Sequence, residues 1–513
     1  MSMHVTYAEK RKRVFPKSAP APEYLGMKKT RIVIAGGSFA GLYAAKYLDK
    51  HLARRPDIEV TLIARENFIL FTPMLHEVAA GDLAPADIVN PLRRILRHVN
   101  VIEADVQDID LVARKVRCVH GFEQGELEFE FDHLLLALGS ETNFFDNAGI
   151  RDWAVTMKNL SDAALLRNRM VAFLEEATLE RDAAIRRQWL TFVIAGGGFA
   201  GTETAGAVND FVRETAKFYP RLGDEEIRVV VIHPGEYLLP ELGEDLGRYA
   251  EGKLRERKVE VIKGARVASY DGWVVTLSTG ISIPAATLVW TAGVKPSPVV
   301  AALPCPKEKG RIAANEYLQV PGFPRLWTAG DCAAVPDLTA SAMPVRLAPR
   351  TFYPPTAQHG MREALIAAKN IERTILGEPL QPFRYRTMGM LASIGHHAGV
   401  ASFFGFKFSG FIAWWMWRSV YLAKLPRLVK KLRVMIAWTL DLLFGRDIEQ
   451  LITLRDVEEL TERWTRISHS TQRGSIAHDA SRSIFNRSTP FLDEIHESNG
   501  PERAERVEEA LVS

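Results

Sequence analysis

The chain has few cysteines, no long uncharged apolar run and almost no net charge, and each shortage removes a class of protein. Cys118, Cys305 and Cys332 are the only cysteines in 513 residues, too few and too scattered for a disulfide framework or a zinc site. None forms a Cys-x-x-Cys pair, which excludes a dithiol shuttle and points to a reducing compartment. No stretch reaches the ~18 uncharged apolar residues of a spanning helix, and the first residues lack the apolar core of a secretory signal. A formal net charge of +3 gives no reason to expect a nucleic-acid partner. The chain is long enough for two or three domains. It is expected not to cross a membrane, although it is free to lie on one.

What is present is a duplicated glycine-rich turn. Arg31–Leu42 reads RIVIAGGSFAGL and Thr191–Thr202 reads TFVIAGGGFAGT. The β-branched run suits a buried strand, and the first glycine, Gly36 or Gly196, suits a tight turn. The last, Gly41 or Gly201, lets a helix start close against the strand, its N-terminal N–H groups free to hold a pyrophosphate. One such turn is weak evidence, because helix–strand packing also selects small residues. Two in the same context point to two dinucleotide sites, and so to electron transfer between dinucleotides.

The expected fold class is α/β: two Rossmann-like dinucleotide-binding domains, the second inserted in the first, then a C-terminal amphipathic helical segment on a membrane surface. Strand patterns at Ile58–Ala64 and Phe131–Gly139 join helical patterns at Leu42–Leu52 and Ile88–His98. Strands at 191–195, 227–233 and 259–262 alternate with helices at 201–217 and 243–257, an order that gives parallel sheets. The apolar run Leu326–Asp331 ends in an acid and reads as the first domain resumed. The expected domains are 29–150 with 293–385, 151–292 between them, and 386–455 for the membrane-association segment. A basic, proline-bearing tail at 1–28 and a polar tail at 456–513 are expected to be disordered.

Several separated motifs bring a family into view. Phe71–Gly81 reads FTPMLHEVAAG, Asp132–Ser140 reads DHLLLALGS, and Val289–Val294 reads VWTAGV. Gly330-Asp331-Cys332-Ala333 and Ala357-Gln358 complete the set. From about Arg31 to Leu451 the chain resembles the two-dinucleotide-binding flavoproteins, and among them the type II NADH dehydrogenases. The resemblance implies an NAD(P)H:quinone oxidoreductase with non-covalent FAD that pumps no protons. It assigns FAD contacts to Gly36, Gly37, Ser38, Gly41, Glu66, Pro73, Val106, Ala137, Gly139, Gly330, Asp331, Ala357 and Gln358. NADH or NADPH would be held by Gly196, Gly198, Gly201, His233, Ala292 and Gly293. Glu203 and Gln358 are the implied catalytic residues, near the nicotinamide and where quinone arrives. The implied location is the cytoplasmic face of the cell membrane, or an inner organellar membrane, with a homodimer left open.

The sequence departs from the family pattern at Leu138, which stands in place of a threonine, and at four further places. Ser38 replaces the middle glycine of the first turn, and Ala64 stands where a ribose-binding acid usually ends the second strand. Glu66 either reaches that ribose or is a solvated loop residue. His233 takes the place of the acid that discriminates NADH from NADPH, which leaves the donor undecided. Arg362 replaces a second glutamine; it either meets a quinone oxygen or pairs with Glu363 or Glu66. Sulfide:quinone oxidoreduction needs paired reactive cysteines, which these three do not supply. A reductase with a non-quinone acceptor, and a non-catalytic flavin-bound membrane protein, stay as alternatives. His396-His397 reads as surface or packing histidines, so no metal is expected.

Residues 405–445 differ in kind. Phe404–Trp417 is dense in aromatics, and six basic residues with no acid fall between Arg418 and Arg433. Leu425, Leu428, Val429, Leu432, Met435 and Ile436 recur on one helical face, with Pro426 suited to its first turn. Tryptophans beside a basic amphipathic helix suit a protein seated in the headgroups of an anionic membrane, where a lipid-confined quinone is found.

Overall fold

The computed structural model describes residues 29–121, 124–339, 351–444 and 446–450. The expected tails at 1–28 and 456–513 lie outside the described residues. Ile32, Val33 and Ile34 are buried on both faces of the strand Thr30–Ala35. That strand pairs in parallel with Ile58–Ala64 on one side and His133–Leu136 on the other. Asn100–Glu103, Phe323–Thr328 and Gln319–Val320 complete a six-stranded sheet.

A second, five-stranded parallel sheet places Thr191–Ala195 between Arg228–His233 and Thr287–Trp290, with Val155–Thr156 and Val259–Lys263 at its edges. Its strands fall, in chain order, between two stretches of the first sheet. In both sheets the strand that runs into the glycine turn is internal, with connections leaving to either side. The crevice at its C-terminal end is therefore a topological switch point, the place where open α/β sheets bind dinucleotides.

The pattern at Ile88–His98 does not form one helix. A short helix at Pro85–Ile88 is followed by the strand Val89–Pro91, paired with Phe68–Leu70, and then by a helix at Leu92–Ile95. Pro91 explains the break, since it lacks an N–H and disfavours helical geometry at Asn90. The Phe131–Gly139 strand shortens to His133–Leu136.

An antiparallel sheet of Gly389–Ser393, Gly399–Phe403 and Phe406–Ser409 leads into helices Gly410–Lys424 and Leu428–Phe444. It docks on the helix Phe199–Ala216, where a side chain at Gly206 would overlap the backbone of Ile394–Gly395. Pro426 lies in the link between the two helices rather than in a first turn, and Leu425 is buried. Two of the six basic residues also turn inward. Arg418 is buried between the rings of Trp414 and Trp438, and buried Lys430 donates to the Ala86 carbonyl. The rest of the expected apolar face is exposed: Leu428, Val429, Leu432, Met435 and Ile436 are 47–71 % accessible. Among the described residues no helix is long and apolar enough to cross a membrane.

Candidate active site

The first glycine turn is built for close backbone approach. Gly36 has φ +112°, and a side chain there would strike the Ala137 carbonyl. One at Gly41 would strike the Gly36 carbonyl, and one at Gly37 would meet the Ala64 methyl. Ser38 is the helix N-cap, yet its hydroxyl makes no capping bond. Asp331 faces this turn's region from the strand end after Gly330. Its Oδ2 accepts the Ser140 hydroxyl at 2.8 Å, and Ser140 Oγ accepts Lys158 Nζ at 3.1 Å. Beneath it the Gly330 N–H donates to Glu363 at 2.8 Å. Gly139 (φ +68°) has open space where a Cβ would stand. Val106 is buried in the same hydrophobic cluster as Val33, Ala35 and Ile63. Glu66 is exposed just past the end of Ile58–Ala64. Glycine nest, free serine hydroxyl and strand-end acid fit the pyrophosphate and ribityl groups of FAD.

The second turn repeats the geometry. Gly196 has φ +114°, Gly201 packs on the Gly196 carbonyl, and Thr291 Oγ1 donates to the Ala195 carbonyl at 2.8 Å. Gly198 caps the helix with nothing near its Cβ position, which leaves the helix N-terminus open to an anion. His233 folds back on this turn, Nδ1 accepting the Gly197 N–H at 3.2 Å. The proton of the neutral ring is therefore on Nε2, and burial holds the ring's pKa below its usual value. The strand end offers a donor here, with no negative charge.

Both turns meet at one cavity of about 570 Å³. Phe39 follows the first turn and Phe199–Ala200 the second; Pro73, Gly293, Ala357 and Gln358 join them in its wall. Ala292 packs just behind, against the core under Trp290. Gln358 is fixed at the start of the helix Ala357–Leu376: Tyr385 Oη donates to its Oε1 at 3.2 Å, and its Nε2 donates to the Gly389 carbonyl at 3.4 Å. Arg362 sits behind it. Its guanidinium lies 4.3 Å from the Tyr385 ring centroid and donates to the Gln358 carbonyl at 2.8 Å. Neither Glu363 nor Glu66 is its partner, and Met361 takes the wall position instead.

Glu203 lies in the same wall, fully enclosed. Its Oε1 accepts the Trp417 indole N–H at 2.9 Å and the Ser393 N–H at 3.2 Å. Its Oε2 is 3.9 Å from Nδ1 of His76. Burial pushes the Glu203 carboxyl up to about 8, against the pull of these donors, and pushes His76 down to about 4. At neutral pH the contact is a neutral acid beside a neutral imidazole, not an ion pair. Next to His76, Glu77 is buried too, with Trp438 Nε1 at 3.0 Å and Arg418 at 3.9 Å. Desolvation raises its pKa.

Local sequence spacing carries no signal for the groups behind Glu203 and Glu77. His396, read as a surface or packing residue, is partly buried at an acidic cluster. Its Nε2 lies 3.4 Å from Asp82 and 3.7 Å from Asp441. Arg446 fills the centre, 2.5 Å from Asp82 and bonded to His396 Nε2 at 2.6 Å. That guanidinium supplies the balancing charge a metal would otherwise bring. These acids come from distant segments, so local spacing could not reveal them.

A pyridine nucleotide-disulphide oxidoreductase family profile matches residues 30–364. A type II NADH:quinone oxidoreductase of Mycobacterium tuberculosis is 31% identical over 443 residues, covering 83% of this chain and 91% of its own. The chain belongs to the type II NADH:quinone oxidoreductase family. A profile of the NDH2 C-terminal domain matches residues 388–447, the antiparallel sheet and its two helices. A mitochondrial internal alternative NAD(P)H-ubiquinone oxidoreductase of Solanum tuberosum is 27% identical, covering 83% of this chain and 88% of its own. NDH2 of Plasmodium falciparum, solved in complex with NADH, superposes with a TM-score of 0.75 at 20% identity, over 82% of this chain and all of that one.

Proposed function

We propose that this protein oxidises NADH and reduces a membrane quinone through FAD, without moving protons across the membrane. The observation that carries the reading is the single cavity walled at once by both glycine-turn helices and by Ala357–Gln358. FAD, when bound, supplies the hydride acceptor and the electron pair for quinone. The first turn, with Ser38, Gly139 and Asp331, holds it. The second turn, with His233, Ala292 and Gly293, holds the nicotinamide nucleotide. Orienting the two partners provides much of the rate, because a bound pair no longer has to find its geometry. Gln358 presents an amide fixed by Tyr385 and Gly389 to the acceptor. The exposed apolar face of Leu428–Phe444 seats the protein on the membrane, on the cytoplasmic face of a cell membrane or on an inner organellar membrane.

Glu203→Gln is expected to keep full FAD content while lowering quinone-dependent turnover about tenfold. The neutral form of Glu203 persists below about pH 8, so wild-type turnover with quinone is expected to fall as pH rises through that value. The variant should lack this limb. Unchanged kinetics would reduce Glu203 to a packing residue. Gln358→Leu is expected to slow flavin reoxidation by quinone about tenfold and leave reduction by NADH alone. Stopped-flow traces that slow equally in both halves would place the acceptor elsewhere.

A further inference from the structure

Quinone reduction by NADH consumes one proton from water per turnover, since the hydride brings two electrons and one proton while quinol carries two. That proton has to enter the cavity. Among the described residues, six titratable side chains line it: His76, Lys158, Glu203, Glu241, Tyr421 and Lys424. Lys158 is committed to Ser140, toward Asp331. Glu241 acts on His233, on the nucleotide side. Lys424 lies over the Tyr421 ring. His76 and Glu203 alone approach each other, at 3.9 Å. One water, or a small rotation of either side chain, closes that distance.

Their orientation is built in. Trp417 and Ser393 occupy Glu203 Oε1, which leaves Oε2 toward His76. The Trp417 ring also meets the imidazole edge to face, with centroids 5.4 Å apart. Behind His76 the charge of Asp82 reaches both His76 and Glu77. Asp82 lies 3.4 Å from His396, whose Nδ1 is 3.9 Å from Glu214, a side chain 44% exposed. The field of Asp82 thus reaches the cavity, and Asp82 is linked through His396 to the partly exposed Glu214.

We propose that His76 is the residue through which the solvent proton reaches Glu203 and, through Glu203, the quinone. The inference rests on the quinone reading above. As quinone takes two electrons from the reduced flavin, the Glu203 acid gives its proton to a quinone oxygen. The resulting carboxylate takes the Nδ1 proton of His76 while Nε2 takes one supplied from solvent. Neither residue changes oxidation state, and the quinone's other proton is the one that arrived with the hydride. The groups facing the pair are Asp82, Glu77, Tyr421 and, through Glu77, Arg418. Burial disfavours a lasting imidazolium, which suits a ring that exchanges protons rather than storing one.

The test uses the full-length, FAD-loaded protein and its His76→Gln and His76→Ala variants in stopped flow. Three rates are compared: reduction by NADH, reoxidation by a water-soluble ubiquinone analogue, and reoxidation by ferricyanide, which takes electrons without protons. Both variants should slow reoxidation by quinone at least tenfold and enlarge its solvent deuterium isotope effect, with the other two rates within twofold of wild type. Added imidazole should restore part of the quinone rate in His76→Ala only. Equal slowing with quinone and ferricyanide, unchanged quinone rates, or loss of FAD in both variants would overturn the assignment. A wild-type protein that reacts with ferricyanide but not with quinone would instead overturn the quinone reading beneath it.

Discussion

Asp331→Ala is expected to purify without its yellow colour. In the native site the carboxylate is the end of a short chain, Lys158 to Ser140 to Asp331, with hydrogen bonds of 3.1 and 2.8 Å. Removing it takes away the acceptor offered to a cofactor hydroxyl and leaves the Lys158 charge without its indirect partner. Hydrogen bonds to charged groups contribute about 1.5–3 kcal/mol each, so losing one weakens binding roughly tenfold to a hundredfold. The fold around it should survive, because the neighbouring Gly330 N–H is held independently by Glu363. The measurement is the ratio of flavin to protein absorbance after dialysis, with circular dichroism as the control for folding. Full flavin occupancy and activity in the variant would show that FAD is held elsewhere.

The second large effect concerns the membrane. Trp415→Ser, Leu432→Ser and Ile436→Ser combined should move the protein from the floating to the sedimenting fraction with anionic vesicles. These side chains are 60%, 47% and 55% exposed, so the changes remove no core packing. Half-burying six such residues in lipid gives on the order of 5–10 kcal/mol. Arg418 and Lys430 face inward and Lys424 lines the cavity, which leaves Arg427, Lys431 and Arg433 for headgroups. At about 1 kcal/mol each before screening, they are the smaller part, so salt should weaken attachment without abolishing it. Cutting the chain at 405 is not an equivalent experiment, because Ala413, Trp417 and Trp438 complete the core. A wild-type protein that sediments with anionic vesicles at low salt would mark this face as a protein contact.

How much of this was legible in the sequence follows from how local each feature is. The glycine turns are set by a handful of adjacent residues, and the backbone at Gly36, Gly41, Gly196 and Gly201 adopts the close approach that their composition implies. Ala357–Gln358 is similar, fixed at a helix start. The reading failed where partners come from far along the chain. An amphipathic pattern with six cations says nothing of Arg418 meeting Glu77, 341 positions away, or of Lys430 reaching Ala86. Arg362 found an aromatic ring and a backbone carbonyl rather than an acid: it lies over Tyr385 and donates to Gln358. His76 drew no notice because an imidazole in an apolar run gains meaning only from what faces it.

Two tryptophans make the C-terminal domain more than an attachment. Trp417 donates to Glu203 and Trp438 to Glu77, so each buried carboxyl of the α/β frame finds its indole on a helix of the C-terminal domain. The two parts are therefore not interchangeable modules. A chimaera that joins this frame to another protein's anchor would strand both acids in apolar surroundings unless the recipient helices carried matching donors. Exchange by recombination should succeed only where the frame and its C-terminal domain travel together, inherited as one piece.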